Sequence, residues 1–194
     1  LLFFNSFTFA QVDWSDPNEC KLSDHTKFSR AILEKMTLEQ KVGQVIMPEI
    51  NSVSPEQAKK FHLGTILNGG GGFPNQNKNS TIEDWKNLSK NYYDASTIVD
   101  GQKLPILWGT DAVHGHNNVI GATIFPHNIA LGATRNENLL RDIGAAVARE
   151  VISTGIIWTF APTIAVPKMI YGGELMKDIQ KTLSLYQNLV KISF

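Results

Sequence analysis

The apolar residues in the first third of the chain have the spacing of short amphipathic helices. Between Asp24 and Met36 they recur every three or four residues, which predicts a helix. Thr37-Leu-Glu-Gln40 matches a capping box, in which the Thr and Gln side chains each bond the other's backbone N–H, and it predicts the start of a second helix. Pro55–Phe61 predicts a third, shorter helix.

Short apolar runs alternate with helical patterns in the rest of the chain. Gly64–Leu67, Leu104–Trp108 and Ile156–Phe160 predict buried strands, whereas Thr81–Ile98 and Asn136–Ser153 predict amphipathic helices. Strands that are apolar on both faces and alternate with helices are typical of a parallel sheet covered by helices. The pattern therefore predicts an α/β fold.

The composition fits a folded domain and excludes several classes of partner. The chain has 194 residues, 42% of them hydrophobic, and its 18 basic residues balance 18 acidic ones. A chain with zero net charge lacks the excess of basic residues that binding to nucleic acid or anionic lipid requires. We therefore expect neither partner. Cys20 is the only cysteine, so the chain forms no internal disulfide.

The first ten residues, LLFFNSFTFA, are apolar and uncharged. They resemble the end of a secretory signal peptide, with small residues at the positions that a signal peptidase recognises. A bilayer span needs about 20 apolar residues, and no window of the chain reaches that length. We expect residues 1–10 to be a signal-peptide remnant and the protein to be secreted or periplasmic, without a membrane span. An apolar arm that packs on the domain is the alternative.

Four consecutive glycines, Gly69–Gly72, follow the first predicted strand. The run lacks the GK[ST] ending of a phosphate-binding loop, so that function is poorly supported. A tightly turning or mobile loop is the favoured interpretation.

The densest polar cluster, GTDAVHGHNN, directly follows the strand predicted over Leu104–Trp108. Ligands of parallel α/β folds bind at the carboxyl ends of strands, so this cluster lies where a functional site is expected. Asp111 is the strongest candidate, because a carboxylate can accept hydrogen bonds from two neighbouring hydroxyls of a sugar ring. Its alternative role is to cap the following loop or to pair with a buried histidine. The candidate residues are Asp111, His114, His116, Asn117 and Asn118.

His114 and His116 form an H-x-H pair that suggests a second hypothesis. Together with Asp111 or His127 they could bind a metal ion. No other predicted strand ends in a His, Asp or Glu that would complete the ligand set, so we expect no metal. A Ser-His-Asp triad is also poorly supported, because the chain has no G-x-S-x-G motif.

Several of these segments together resemble glycoside hydrolase family 3, the β-glucosidases and exo-β-glucanases. Met36–Gln44 is similar to the family's M-T-L-x-E-K-x-G-Q opening, and Gly69–Gly72 is similar to its glycine-rich loop. Gly109–Asn136 resembles its D-A-V-H-G block, and Thr154–Val166 resembles the strand that follows. The blocks occur in the family's order and with its approximate spacing.

The resemblance implies a (β/α)8 TIM-like barrel, of which residues 11–166 form the N-terminal part, with truncation after about three strands. It also implies retaining hydrolysis of β-glucosides or β-glucan oligosaccharides, without a cofactor. In the family the aspartate of the D-A-V-H-G block binds hydroxyls of the glycone, the sugar on the non-reducing side of the cleaved bond. Asp111 is the matching residue.

Retaining hydrolysis requires two carboxyl groups about 5 Å apart. In the family the nucleophile is an aspartate on a later barrel strand, and the acid/base residue comes from further along the chain. The resemblance therefore places both beyond these 194 residues, so we name no catalytic residue. We expect the chain alone to be inactive.

The last residues depart from the family, which continues with an arginine-rich block resembling D-x-R-W-G-R-T-Y-E-x-Y-S-E-x-P. In a reading frame shifted by one base, each codon begins with the last base of the preceding codon. In that frame, Met169 followed by Ile170 encodes Asp, and Met176 followed by Lys177 encodes Glu. The remaining codons permit nearly the whole family block. We therefore expect residues 167–194 to be a frameshifted tail, the alternative being a divergent amphipathic helix.

The expected function is that of the N-terminal part of a retaining glycoside hydrolase with a carbohydrate substrate. Two alternatives remain open: a non-catalytic sugar-binding or interaction module, and a metal-dependent hydrolase that uses His114 and His116.

Overall fold

The computed structural model describes residues 24–162, which belong to two compact units divided after Met36. The expectations for residues 1–10 and 167–194 lie outside the described residues. Helix α1, Asp24–Lys35, belongs to the first unit and confirms the first predicted helix. The second unit contains helices α2 to α6 and strands β1 to β5. Their bounds are α2 Leu38–Gln44, α3 Pro55–Lys60, β1 Thr65–Asn68, α4 Ile82–Asp94, β2 Thr97–Val99, β3 Gln102–Leu104, β4 Leu107–Thr110, α5 Asn128–Ala133, α6 Glu137–Ser153 and β5 Trp158–Thr159.

Three strands of the second unit form the predicted parallel sheet, in the order β1-β4-β5. Asn68 of β1 pairs with Thr110 of β4, and Thr110 pairs with Thr159 of β5. On the other side of β1, an isolated parallel bridge joins Glu49 to Leu67, with the Leu67 N–H donating to the Pro48 carbonyl at 3.0 Å. This bridge brings Glu49 beside the sheet, which the apolar pattern did not predict.

Side-chain caps fix the start of most predicted helices. Thr37 and Gln40 form the predicted capping box of α2, and Thr81 and Asp84 form the corresponding box of α4. The side chain of Asn136 accepts the Leu139 N–H at 3.1 Å and caps α6. These caps satisfy backbone donors that a helix N-terminus leaves without partners, which explains why the predicted starts are confirmed.

The predicted helix over Thr81–Ile98 is too long, and the predicted strand over Leu104–Trp108 starts too early. Helix α4 ends at Asp94, and Thr97–Val99 instead pairs antiparallel with Gln102–Leu104. Asp100 and Gly101 connect these strands with φ angles of 50° and 77°. An Asp-Gly pair with positive φ at both residues makes a tight hairpin turn, and this local signal prevails over the helical spacing.

The core packs one face of the parallel sheet against α4. The Trp85 and Tyr92 rings on α4 lie 5.9 Å and 5.6 Å from the Trp108 ring on β4. The Tyr92 hydroxyl donates to the Val53 carbonyl at 2.7 Å, and burial raises its pKa to about 12, with smaller contributions from Glu49 and Glu56. Trp108 therefore faces α4, and its neighbours along β4 face the opposite side of the sheet.

The predicted third strand is shorter than expected, because only Trp158–Thr159 within Ile156–Phe160 has strand geometry. Helix α5 was not predicted. No helix within residues 24–162 is long and apolar enough to cross a membrane.

Candidate functional site

Asp111 directly follows β4 at the carboxyl edge of the parallel sheet. Its backbone N–H donates to the Asn68 carbonyl at 3.3 Å, and the Phe160 N–H donates to the Thr110 carbonyl at 3.0 Å. These backbone hydrogen bonds extend the parallel pairing beyond the ends of β4 and β5, and they fix the backbone of Asp111. Because side chains alternate along a strand, Asp111 and Gly109 lie on the face opposite to Trp108.

The Asp111 carboxylate is half-buried and has no hydrogen-bond or ion-pair partner among residues 24–162. The histidines that could have paired with it bind elsewhere. A His114 ring nitrogen lies 3.0 Å from the Phe125 carbonyl oxygen, and a His116 ring nitrogen lies 3.0 Å from the Thr154 hydroxyl. The described structure therefore leaves both carboxylate oxygens of Asp111 available to a ligand.

The loop after Asp111 is compact. Val113 and Gly115 form a backbone bridge, and Gly115 has a φ of 117°. A Cβ atom at Gly115 would collide with the Thr123 carbonyl, so both the conformation and the close approach require glycine. Phe125 and His114 exchange hydrogen bonds across the loop.

His114 and His116 occupy different environments. The His114 ring stacks on the His127 ring at 4.2 Å between centroids, whereas the His116 ring is fully buried and lies 5.9 Å from the Trp85 ring. Burial lowers the pKa of His116 to about 4, although Glu150 acts in the opposite direction. In the part of the chain that the structure describes, no three His, Cys, Asp or Glu residues could hold a metal ion.

The glycine run lies beside Asp111 at the same edge. Asn118, which is buried, donates from its side-chain amide to the Gly69 carbonyl at 2.9 Å. A Cβ atom at Gly69, Gly70 or Gly71 would meet no atom within 4 Å, so these glycines border open space. The loop after β4 and the glycine run therefore lie side by side at this edge of the sheet, joined by the hydrogen bond from Asn118 to Gly69.

Two residues at this edge were not identified from the sequence. The Glu49 carboxylate contacts Gly72 at the end of the glycine run and accepts the Asn51 N–H at 2.6 Å. The Phe160 ring packs over Gly109, on the Asp111 face of the sheet. The apolar run Val45–Met47 is the signal that could have indicated a strand leading to Glu49.

A separate cavity of about 420 Å³ lies between the loop after β4 and α6. His114, Asn128, Arg141 and Thr159 contribute polar groups, but most of its lining is apolar and Asp111 is not part of it. An apolar wall offers few partners for the hydroxyls of a sugar. The edge around Asp111 is therefore the better candidate site.

A comparison with known protein families shows which family has this sequence pattern. The glycosyl hydrolase family 3 N-terminal domain matches residues 37–172. The chain belongs to glycosyl hydrolase family 3. This confirms the resemblance seen in the sequence.

Two beta-glucosidases are similar to the chain over about three quarters of its length. The lysosomal beta glucosidase of Dictyostelium discoideum is 27% identical over 161 residues, which cover 75% of this chain and 19% of the relative. The periplasmic beta-glucosidase of Salmonella typhimurium is 25% identical over 146 residues, which cover 73% of this chain and 17% of the relative.

A solved structure agrees with the fold. The exo-1,3/1,4-beta-glucanase of a Pseudoalteromonas species superposes with a TM-score of 0.79 at 41% identity, covering 89% of this chain and 22% of the glucanase. The chain thus spans about a fifth of the length of these three relatives.

Proposed function

We propose that this chain is the N-terminal part of the barrel domain of a retaining β-glucosidase or exo-β-glucanase. Asp111 binds hydroxyls of the glycone. The nucleophile and the acid/base residue come from parts of the enzyme beyond these 194 residues. The relatives support this division, because the chain corresponds to only 17–22% of their length.

The observation that carries the proposal is the free carboxylate of Asp111 at the carboxyl edge of the sheet. A carboxylate that capped the loop or paired with a histidine would have a partner within the described residues, and Asp111 has none. A half-buried carboxylate without a partner among the described residues keeps its acceptor positions open to a ligand. Two adjacent sugar hydroxyls supply the missing hydrogen bonds, which are about twice as strong as those between neutral groups.

The same hydrogen bonds contribute to catalysis. The glycone ring distorts as the glycosidic bond breaks, and bonds to its hydroxyls that tighten at that point stabilise the transition state more than the bound substrate. Asp111 performs this function without exchanging a proton or forming a covalent bond. The backbone bond from Asp111 to Asn68 holds the main chain from which the carboxylate extends.

Residues 1–10 are the end of a signal peptide, residues 11–166 belong to the barrel domain, and residues 167–194 are a frameshifted tail. The enzyme is secreted or periplasmic. Relatives named as periplasmic and lysosomal beta-glucosidases support a location outside the cytoplasm.

The direct test uses the complete gene product, re-sequenced through the codons of residues 160–194. We expect it to hydrolyse an aryl β-glucoside, with the β-anomer of glucose appearing first in the proton NMR spectrum, as retention requires. Release of the α-anomer first would contradict the retaining mechanism. Binding of glucosides without hydrolysis would favour a non-catalytic sugar-binding module.

A further inference from the structure

We infer that His116 is a positioning residue, which holds the loop that carries Asp111 in place through a hydrogen bond to Thr154 at the end of α6. The inference rests on the proposed function in one respect only, since it takes the Asp111 carboxylate to be the group that binds the sugar. The position of the loop can be measured independently of activity.

The hydrogen bond between His116 and Thr154 has a defined direction. The Thr154 hydroxyl donates its proton to the Val151 carbonyl at 2.6 Å, so its oxygen can only accept from His116. The His116 Nε2 atom, 3.0 Å from this oxygen, therefore carries the ring proton. Both side chains are fully buried, so water cannot replace the bond if either partner is removed.

The bond joins two parts of the chain that are distant in sequence. His116 comes five residues after Asp111, and Thr154 caps the C-terminus of α6, shortly before β5 begins. Two other contacts near Asp111 point towards the end of β1: the Asp111 N–H donates to Asn68, and Asn118 donates to Gly69. Further along the loop, the Thr123 N–H and hydroxyl donate to α6 at the Glu150 carboxylate. Within residues 111–118, the described side-chain hydrogen bond that reaches the end of α6 is that of His116.

The segment between Asp111 and His116 is too compact to absorb a displacement. Ala112 is buried, Val113 and Gly115 are bridged, and Gly115 lies against the Thr123 carbonyl. Closely packed segments move as units, because a small shift creates voids or overlaps. If the ring of His116 moves, the carboxylate of Asp111 should therefore move with it.

Replacing His116 by asparagine and by glutamine separates the hydrogen bond from the loss of the ring. The amide nitrogen of glutamine extends to about the position of Nε2 and can donate to Thr154, whereas that of asparagine extends only to about the position of Nδ1. Both variants remove the ring and its contact with Trp85. A difference between His116→Gln and His116→Asn therefore reports on the bond to Thr154.

The first measurement is backbone hydrogen exchange in the complete gene product. We expect residues 111–118 to exchange at least about tenfold faster in His116→Asn than in the wild type, and to remain close to wild type in His116→Gln. Thr154→Val, which removes the acceptor, should give the same increase, while Ser153→Ala should not, because Ser153 bonds only to Glu150 in its own helix. Residues 82–94 of α4 serve as an internal reference. Equal exchange in all of these variants would overturn the inference.

The second measurement is a double-mutant cycle with Asp111. We expect His116→Asn to lower kcat/KM for an aryl β-glucoside by about tenfold or more, but to have little further effect in an Asp111→Asn background. Equal losses in both backgrounds would show that His116 supports the fold in general and not Asp111. If the wild-type gene product does not hydrolyse glucosides, the proposed function fails, and the exchange measurement alone decides whether His116 holds the loop.

Discussion

Gly70 and Gly72 lie two positions apart in one glycine run, yet the fold requires a glycine only at Gly72. A Cβ atom at Gly72 would overlap the Glu49 carboxylate and lie 2.9 Å from the Asn68 Cβ, whereas one at Gly70 would meet nothing within 4 Å. Neither residue has a positive φ. The difference between the two positions is therefore steric.

We predict that Gly72→Ala lowers the free energy of unfolding by about 1–3 kcal/mol, because overpacking at a buried position forces its neighbours apart. Gly70→Ala should leave stability unchanged or raise it by up to about 1 kcal/mol, because it only restricts the unfolded chain. Urea unfolding of the two variants of the complete gene product measures the difference. Equal stability of both would contradict the packing around Glu49.

His116 gives a second prediction, on the dependence of stability on pH. Burial lowers its pKa to about 4 in the folded state, compared with about 6.5 in an unfolded chain. Well above pH 6.5 both states are neutral at this residue. As the pH falls from about 6.5 towards 4, the unfolded chain binds a proton that the folded protein does not, so stability is lost.

The His116→Gln variant isolates this effect, because it removes the titrating group and leaves every other acid and base in place. Glu150, which acts on the charged form of His116, is present in both proteins. We expect the stability of the wild type relative to His116→Gln to decrease between pH 6.5 and 4 in urea titrations at fixed ionic strength. A difference that does not vary with pH would contradict the buried neutral histidine.

At the scale of elements, sequence reasoning succeeded where a boundary depends on neighbouring residues. Thr37 and Thr81 cap their own helices, and both starts were predicted. The hairpin at Asp100-Gly101 was missed, although its signal is also local, because helical spacing was extended through it. Glu49 was missed although the apolar run Val45–Met47 precedes it, because its pairing with β1 involves a segment that is not adjacent in sequence. The partner of His116 could not be predicted, because Thr154 lies 38 residues away.

Helix α4 gives a prediction with a matched control. Tyr92 is buried and its hydroxyl donates to the Val53 carbonyl, whereas the adjacent Tyr93 is 51% exposed. Tyr92→Phe should cost about 1–3 kcal/mol of stability, because it leaves a buried carbonyl without its donor. Tyr93→Phe should stay within about 0.5 kcal/mol of the wild type. Thermal unfolding of both variants checks this, and equal melting temperatures would show that the bond from Tyr92 to Val53 does not stabilise the fold.

At the scale of the whole molecule, the parallel sheet presents one face that the described residues do not cover. Leu107 on β4 is 43% exposed and Trp158 on β5 is 39% exposed, and both lie on the Gly109 face of the sheet. Parallel sheets are normally covered on both faces. A TIM-like barrel covers this face by closing with eight strands over about 250 residues.

We therefore predict that the 194-residue chain, produced alone, aggregates and does not hydrolyse an aryl β-glucoside above background. Apolar sheet faces and unpaired strand edges promote association, and the catalytic carboxylate pair is proposed to lie elsewhere in the enzyme. Size-exclusion chromatography, thermal unfolding and a glucosidase assay test this. A monomer that unfolds cooperatively, or turnover that survives removal of host glycosidases, would contradict it.

The central claim is that the Asp111 carboxylate binds glycone hydroxyls, and kcat/KM of Asp111→Asn for an aryl β-glucoside tests it most directly. The neutral amide nearly matches the carboxylate in size but loses its charge-assisted bonds. In the complete gene product we predict a loss of about 3 kcal/mol or more in transition-state binding, at least about 100-fold, with an unchanged melting temperature. Asp142→Asn, an exposed aspartate on α6, is the matched control and should retain wild-type activity. Near-normal turnover by Asp111→Asn together with a markedly lower melting temperature would contradict the claim and assign Asp111 a structural role.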